Sequence, residues 1–304
     1  MPRSGSASIR LGIVTGEDRP RLSDDGRALV TALNDRGLSA EPAVWTTRDD
    51  WSTFDAVLVR SCWRYYERPD AFREWIATVE RAVPAVFNPA GALRWNRHKF
   101  YLQDLIDRGV DVLPTAFVER SSDRSLESIL RPRGWDEAVV KPAVATSSAG
   151  AFRAALESAE ADHGQFEALR TEGDVLVQQF APAIHDGERS LVFFGGEFSH
   201  ATVSRPTGDD FRAHPDFGVT IEPYDPPPDV LEAAGDALRA ACDAMNTAPE
   251  RLCYARVDGL ERGGGFELME LELIEPYLGL VRSDAVERFA DELEAALERE
   301  LPAR

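Results

Sequence analysis

Two hydrophobic periods alternate through residues 1–90, and this alternation restricts the fold more than any other feature of the chain. Ile9 to Thr15 is a short β-branched run closed by Gly16, and Asp24 to Asp35 follows with Ala28, Leu29, Ala32 and Leu33 at helical spacing. Phe54 to Val59 is a second unbroken apolar run, and Pro69 to Val83 sets Phe72, Trp75, Ile76 and Val79 on one helical face. Strands separated by helices pair in parallel, so this stretch predicts a small βαβ unit. Such sheets bind ligands at the carboxyl ends of their strands, here the segment from Arg60 to Tyr66.

The pattern then changes. Asn88, Pro89 and Gly91 punctuate a boundary, a helix is expected from Lys99 to Asp107, and Gly109 ends it. Strands are expected at Leu113–Val118, Ala138–Lys141, Ala151–Ala155 and Val175–Phe180, with helices at Ser125–Leu130 and Gln165–Leu169. From Glu188 onward the pairing reads as antiparallel: Leu191–Phe194, a Gly195-Gly196 turn, then Phe198–Val203. A turn-rich stretch, Pro223 to Pro228, leads to a helix at Val230–Met245 and a strand at Leu252–Asp258. A hairpin around Gly263 to Gly265 returns as Phe266–Leu273. The acidic amphipathic helix Asp284–Leu301 follows, its charged face read as solvated surface. The expectation is an α/β (α+β) chain in three parts, residues 1–90, 91–180 and 181–304.

Charge narrows the function. The 304 residues hold 53 acids against 34 Lys and Arg, a formal charge of −19, which excludes a basic nucleic-acid groove and a basic membrane-surface helix. Three cysteines, Cys62, Cys242 and Cys253, without CxxC spacing, read as reduced and buried. The N-terminal residues lack the apolar length of a signal or membrane-spanning segment, so a cytoplasmic protein is expected. Lysine occurs only twice, at Lys99 and Lys141. Two lysines retained where arginine serves elsewhere are either chance survivors or needed for their chemistry.

The late hairpin supplies that chemistry. On a strand of period two, Glu270 and Glu272 share a face, and Asp258 comes from the neighbouring strand. Three converging carboxylates make either a solvated polar face or a site for a hard cation such as Mg²⁺, whose shell substrate phosphates complete. Lys141 ends a strand and precedes the small-residue loop Ala145 to Gly150, which can bring backbone N–H groups against phosphate oxygens. No GxxxxGK[ST] or GxGxxG fingerprint is present.

Seven short motifs follow in order: Lys99; Val139-Val140-Lys141-Pro142; Val177-Gln178-Gln179-Phe180; Gly187-Glu188-Arg189-Ser190; Gly208-Asp209-Asp210-Phe211-Arg212; Ala255-Arg256-Val257-Asp258; and Glu270-Leu271-Glu272. In this order and spacing the chain resembles the ATP-grasp superfamily over nearly its whole length. It looks closest to the cycloserine-biosynthesis ligases (O-ureido-serine cyclo-ligase) through Val59-Arg60-Ser61-Cys62-Trp63, the segment Phe193 to His200, and the segment Met269 to Pro276. Glutathione synthetases and ribosomal-protein glutamate ligases resemble it more distantly.

The resemblance implies an ATP-grasp fold with an N-terminal βαβ substrate domain, a central lid subdomain and a C-terminal antiparallel catalytic subdomain. It implies ATP and Mg²⁺ as cofactors. Lys99 and Lys141 would contact phosphates, Gln178, Gln179 and Phe180 would form the adenine hinge, and Glu188 would bind the ribose. Arg205 and Arg212 would lie near the transferred phosphate and substrate carboxylate, and Arg256 would stabilise developing charge. Asp258, Glu270 and Glu272 would hold the metal. Many relatives have Asn where Glu272 stands, which leaves Glu275 as an alternative ligand. The reaction implied is activation of a small-molecule carboxylate as acyl phosphate, then attack by nitrogen. An intermolecular carboxylate–amine ligase and a non-catalytic ATP-binding module are the alternatives. Arg60, Ser61, Trp63 and Tyr65 either clamp an amino-acid-like substrate or pack at a domain junction. His200 and His214 read as packed or solvated. The loop Ala145 to Gly150 is the expected lid, and a homodimer is the default for an enzyme of this size.

Overall fold

The computed structural model describes residues 8–146, 148–208, 210–213 and 218–302. The chain opens with β1 (Arg10–Thr15), α1 (Asp24–Asp35), β2 (Ser39–Val44), β3 (Ala56–Ser61), α2 (Pro69–Ala82), β4 (Ala85–Phe87) and α3 (Ala90–Asn96). Its four strands form a parallel sheet in the order β2-β1-β3-β4. Both faces are covered, which is why β3 is apolar from Ala56 to Val59 and buried throughout. Leu11, Ile13 and Leu58 pack with Leu29 and Leu33 of α1, while Val14, Val57 and Val59 pack with Phe72, Trp75 and Ile76 of α2. The sequence pattern passes over β2, which contains Pro42. As an edge strand it tolerates a residue with no N–H to donate.

The middle of the chain is α4 (Tyr101–Ile106), β5 (Thr115–Val118), α5 (Leu126–Leu130), β6 (Glu137–Pro142), β7 (Phe152–Ala155), α6 (Ala159–Glu172) and β8 (Val175–Gln179). These strands form an antiparallel sheet, β5-β8-β6-β7, packed through Val140, Val175 and Val177 on Leu126, Ile129 and Phe166. Helix α6 is nearly three times the length expected, its added turns being largely exposed.

Next come β9 (Glu188–Phe194), β10 (Glu197–Arg205), β11 (Thr220–Tyr224), α7 (Pro228–Met245), β12 (Ala255–Arg262), β13 (Gly265–Glu272) and α8 (Val286–Glu300). The five strands form a second antiparallel sheet, β11-β10-β9-β12-β13. Helix α7 covers one face, burying Ala234, Ala237, Leu238 and Ala241 against Val257, Leu268 and Leu271. The stretch expected to be turns begins inside β11, whose Pro223 again sits on an edge strand. Strand β12 does not stop at Asp258 but runs four residues further. Gly259 permits this, because a Cβ there would lie 2.5 Å from the Glu267 carbonyl and from the Phe266 ring.

Helix α8 returns to the first sheet, where Phe289 and Leu293 join the cluster of Leu29 and Leu33. Its acidic face is not simply solvated, as the pattern suggests. Glu287, Asp291 and Glu294 converge on Arg36 at 2.6–2.7 Å and hold α8 to the end of α1. Among the described residues Cys62, Cys242 and Cys253 are buried and free, and no helix is long and apolar enough to cross a membrane.

Candidate active site

The uncovered face of the β9–β13 sheet borders a cavity of about 1160 Å³, closed on other sides by the β5–β8 sheet and the segment after β3. Small-molecule sites span roughly 300–1,000 Å³, so this one has room for a nucleotide and a second ligand. Its floor is set by register. Asp258 lies opposite Glu270 and Arg256 opposite Glu272, and an irregularity between Asp258 and Gly259 leaves Met269 as an extra residue on β13.

Four buried polar side chains hold β13 and the residues after it in place. Tyr101 exchanges hydrogen bonds with the Leu271 backbone at 2.8 and 2.9 Å. Asn96 donates to the Leu271 carbonyl at 2.7 Å and accepts from the Leu273 N–H at 2.8 Å. Asn88 donates to the carbonyls of Tyr254 and Leu273. The Tyr254 hydroxyl sits between the carbonyls of Val59 and Ile274. The sequence marks Asn88 only as a boundary residue and gives the other three no role, because their work is long-range backbone contact.

The carboxylates each meet a protein cation. Arg256 binds both oxygens of Asp258 at 2.8–3.0 Å and Glu272 at 2.8 Å, and Lys99 pairs with Glu270. Burial works against the ionised form of Glu270, yet Lys99 and Lys141 hold its pKa below the ordinary value. Burial pushes Glu272 up to about 7 and Glu188 up to about 8, with Asp258 adding repulsion at both. Burial favours the neutral form of Lys141, and its Nζ donates to Gln178 Oε1 at 3.1 Å. The site thus holds more acid than its cations neutralise. Among the described residues no three Asp, Glu, His or Cys side chains are grouped as a ready metal shell. The donors fit a hard cation by chemistry, once Lys99 and Arg256 release them.

Lys99, Lys141, Gln178, Gln179, Phe180, Glu188, Arg212, Arg256, Asp258, Glu270, Glu272, Trp63 and Tyr65 all line the cavity. Three expected residues do not. Arg205 points to Glu222 on β11 at 2.6 Å and is half-exposed. Arg60 is buried, stacked 5.0 Å over Tyr254, and donates both Nη groups to the Pro276 carbonyl. Ser61 is buried, its carbonyl accepting from Gly16. Arg212 lines the cavity while gripping Asp210, whose pKa that contact lowers to about 2. Gln178 lies within β8 and is paired on both sides, and its side-chain oxygen, not its backbone, meets Lys141. The Gln179 and Phe180 N–H groups bond Pro114 and Glu137, and Ala181 is the next cavity-lining backbone.

Ala145, Thr146, Ser148 and Ala149 of the β6–β7 loop line the same cavity. Ser147, Asp209 and His214 lie outside the described residues. His200 is half-buried, outside the cavity lining, with Nε2 2.7 Å from the Leu278 carbonyl. Glu275 lines the cavity, is 7 % exposed, and neither carboxylate oxygen has a hydrogen-bond partner within 3.5 Å, Thr146 reaching toward it as a weaker donor. Burial pushes its pKa well up, with Glu272 adding repulsion while Thr146, Lys99 and Arg60 pull the other way.

Comparison with known proteins agrees with this geometry. Residues 11–88 match the family model described as D-cycloserine synthetase DcsG, N-terminal domain. The chain is 33 % identical to the cycloserine biosynthesis protein DcsG of Streptomyces lavendulae over 306 residues, 93 % of this chain and 97 % of that protein. The crystal structure of D-cycloserine synthetase DcsG superposes with a TM-score of 0.86 at 30 % identity, covering 95 % of this chain and 99 % of that one. The D-alanine–D-alanine ligase of Bacillus anthracis, solved with ATP, shares the fold: TM-score 0.66, 16 % identity, 96 % of this chain and 99 % of that one. With two lysines and a carboxylate hairpin on one nucleotide-sized cavity, the chain belongs to the DcsG family of ATP-grasp enzymes and is an ATP-dependent ligase.

Proposed function

We propose that the enzyme transfers the γ-phosphate of ATP to the carboxylate of a small amino-acid-like substrate, and that a nitrogen then displaces the phosphate. The favoured version is intramolecular, an O-ureido-serine cyclo-ligase activity, supported by similarity to DcsG over 93 % of the chain. The observation that carries the reading is the convergence of Lys99, Lys141, Arg256, Asp258, Glu270 and Glu272, from separate segments, on one cavity large enough for two ligands.

A carboxylate is a poor electrophile. Conversion to an acyl phosphate supplies a leaving group, and the protein's part is positioning and charge neutralisation. Lys141, oriented by Gln178, and Lys99 meet the nucleotide phosphates. Phe180 and Ala181 offer their backbone to the adenine edge, and Glu188 meets the ribose. Arg256, on the cavity floor, neutralises the charge that grows on the carbonyl during attack. The β6–β7 loop excludes water from the acyl phosphate. Asp258, Glu270 and Glu272 would hold Mg²⁺, which supplies Lewis-acid neutralisation of phosphate charge.

The test is ADP release from Mg-ATP with O-ureidoserine and with a panel of amino acids. ADP formed without any added amine supports cyclisation. A strict need for a second amine sinks it in favour of intermolecular ligation, and tight ATP binding with no turnover on any carboxylate sinks the reading as a whole.

A further inference from the structure

One charged side chain in the cavity wall has no task in that scheme. Glu275 lies three residues beyond the last carboxylate of the hairpin, buried, with neither oxygen hydrogen-bonded within 3.5 Å and Thr146 the one side chain that reaches toward it as a donor. Asp258, Glu270 and Glu272 each have a protein cation, whereas a buried carboxylate without one is costly and calls for a partner. The backbone around it is deliberately placed: Trp63 Nε1 donates to the Glu275 carbonyl at 3.3 Å, and Arg60 holds the Pro276 carbonyl. Trp63, Tyr65 and Tyr66 line the same cavity, and Glu275 is the leading charged neighbour of the Tyr65 hydroxyl.

What partner fits follows from donor counting. A hard metal ion wants six or more oxygens, and in the proposed mechanism that task already falls to the hairpin carboxylates Asp258, Glu270 and Glu272. A single carboxylate beside aromatic walls suits an ammonium, which has three N–H donors and is attracted to ring faces. The charged groups acting on Glu275 are Glu272, Lys99 and Arg60; Lys99 pairs with Glu270, and Arg60 turns both Nη groups to the Pro276 carbonyl, its Nε being buried without a partner.

We propose that Glu275 is a specificity-determining residue that accepts the protonated amino group of the substrate, with Trp63 and Tyr66 as its walls. This rests on the reading above that the substrate is an amino acid, and adds a chemical consequence. Held as an ammonium, the amino nitrogen has no lone pair, so it cannot attack the acyl phosphate of a second molecule. The nitrogen that closes the ring is then a different one in the same substrate.

The experiment uses the full chain saturated with Mg-AMPPNP and measures binding of matched pairs by calorimetry: O-ureidoserine against 3-(ureidooxy)propanoic acid, serine against glyceric acid, and alanine against propionic acid. The wild type should prefer the amino member by about 10–100-fold, the range of a charge-assisted hydrogen bond. Glu275→Gln should erase most of that preference, Glu275→Asp should keep part of it, and AMPPNP affinity, which reports an intact fold, should not change. Equal binding of the paired probes by the wild type overturns the proposal, as does a preference that survives Glu275→Gln or an absence of binding by every amino probe. Loss of AMPPNP binding in both variants also overturns it, assigning Glu275 to metal or phosphate instead. An amino preference abolished by the substitution, with no ADP from O-ureidoserine, supports Glu275 and sinks only the cyclo-ligase reading.

Discussion

The end of β3 and the β12–β13 hairpin both carry charged residues toward the cavity, yet they use them in opposite ways. At the end of β3, Arg60 and Ser61 are buried and committed to backbone carbonyl and amide contacts, and it is the residues beyond the strand, Trp63 to Glu67, that reach the cavity. On β12 and β13, Arg256, Asp258, Glu270 and Glu272 all face it. The difference lies in the covering. The parallel sheet is packed on both faces, so a charge at the end of its central strand is absorbed into structure. The antiparallel sheet is covered by α7 on one face, and on the other only at the Val192–Phe194 end, by α8, so alternate residues toward its other end remain available to a ligand.

Substitution at each region tests this contrast. The largest effect is expected for Arg256→Gln, which removes charge stabilisation and leaves Asp258 buried without its partner. The rate of ADP release should fall by about 10²–10³-fold and stability by about 3–5 kcal/mol, read by kinetics and chemical unfolding. A rate within a few-fold of wild type would remove Arg256 from the chemistry. Lys141→Ala should weaken ATP binding by about 10–100-fold, measured by calorimetry, and unchanged affinity would take this lysine out of the phosphate site. Arg60→Met is expected to act through stability, lowering the melting temperature while leaving the KM for ATP alone. A selective KM change would break the contrast between the two regions.

Glu188 provides a pH test. Its folded pKa of about 8 lies above the ordinary 4.5. Between those values the folded chain keeps a proton that the unfolded chain releases, so its contribution to stability falls as pH rises through that window. Glu188→Gln should therefore raise the melting temperature of the nucleotide-free enzyme more at pH 8 than at pH 5. An equal effect at both would show that Glu188 is ionised in the folded state. The smallest effect is expected for Arg205→Ala, whose half-exposed pair with Glu222 is worth at most about 1 kcal/mol. ADP release should stay within twofold of wild type, and a large loss would return Arg205 to the site.

Much of the fold was legible because periodicity survives in the sequence: α1 spans Asp24–Asp35 as its pattern predicts, and β5 to β8 lie where the apolar runs do. The two proline-bearing edge strands were not, since an edge residue escapes the rule that sheets exclude proline. The same limit applied to the site. Lysine scarcity and carboxylate alternation marked Lys99, Lys141, Asp258, Glu270 and Glu272, but Arg60 and Arg205 look as functional in a motif as Arg256 does. Asn88, Asn96, Tyr101 and Tyr254 carry no chemical signature at all.

The sequence by itself determined the elements, the two lysines and the alternating acids of the hairpin, because local propensity and side-chain chemistry are written residue by residue. Which arginine reaches substrate and which binds a carbonyl, and that Glu275 stands unpaired in the cavity wall, only the tertiary structure decided. Those facts depend on which faces are covered and on contacts between residues some two hundred positions apart, such as Arg60 with Pro276, which no local pattern records.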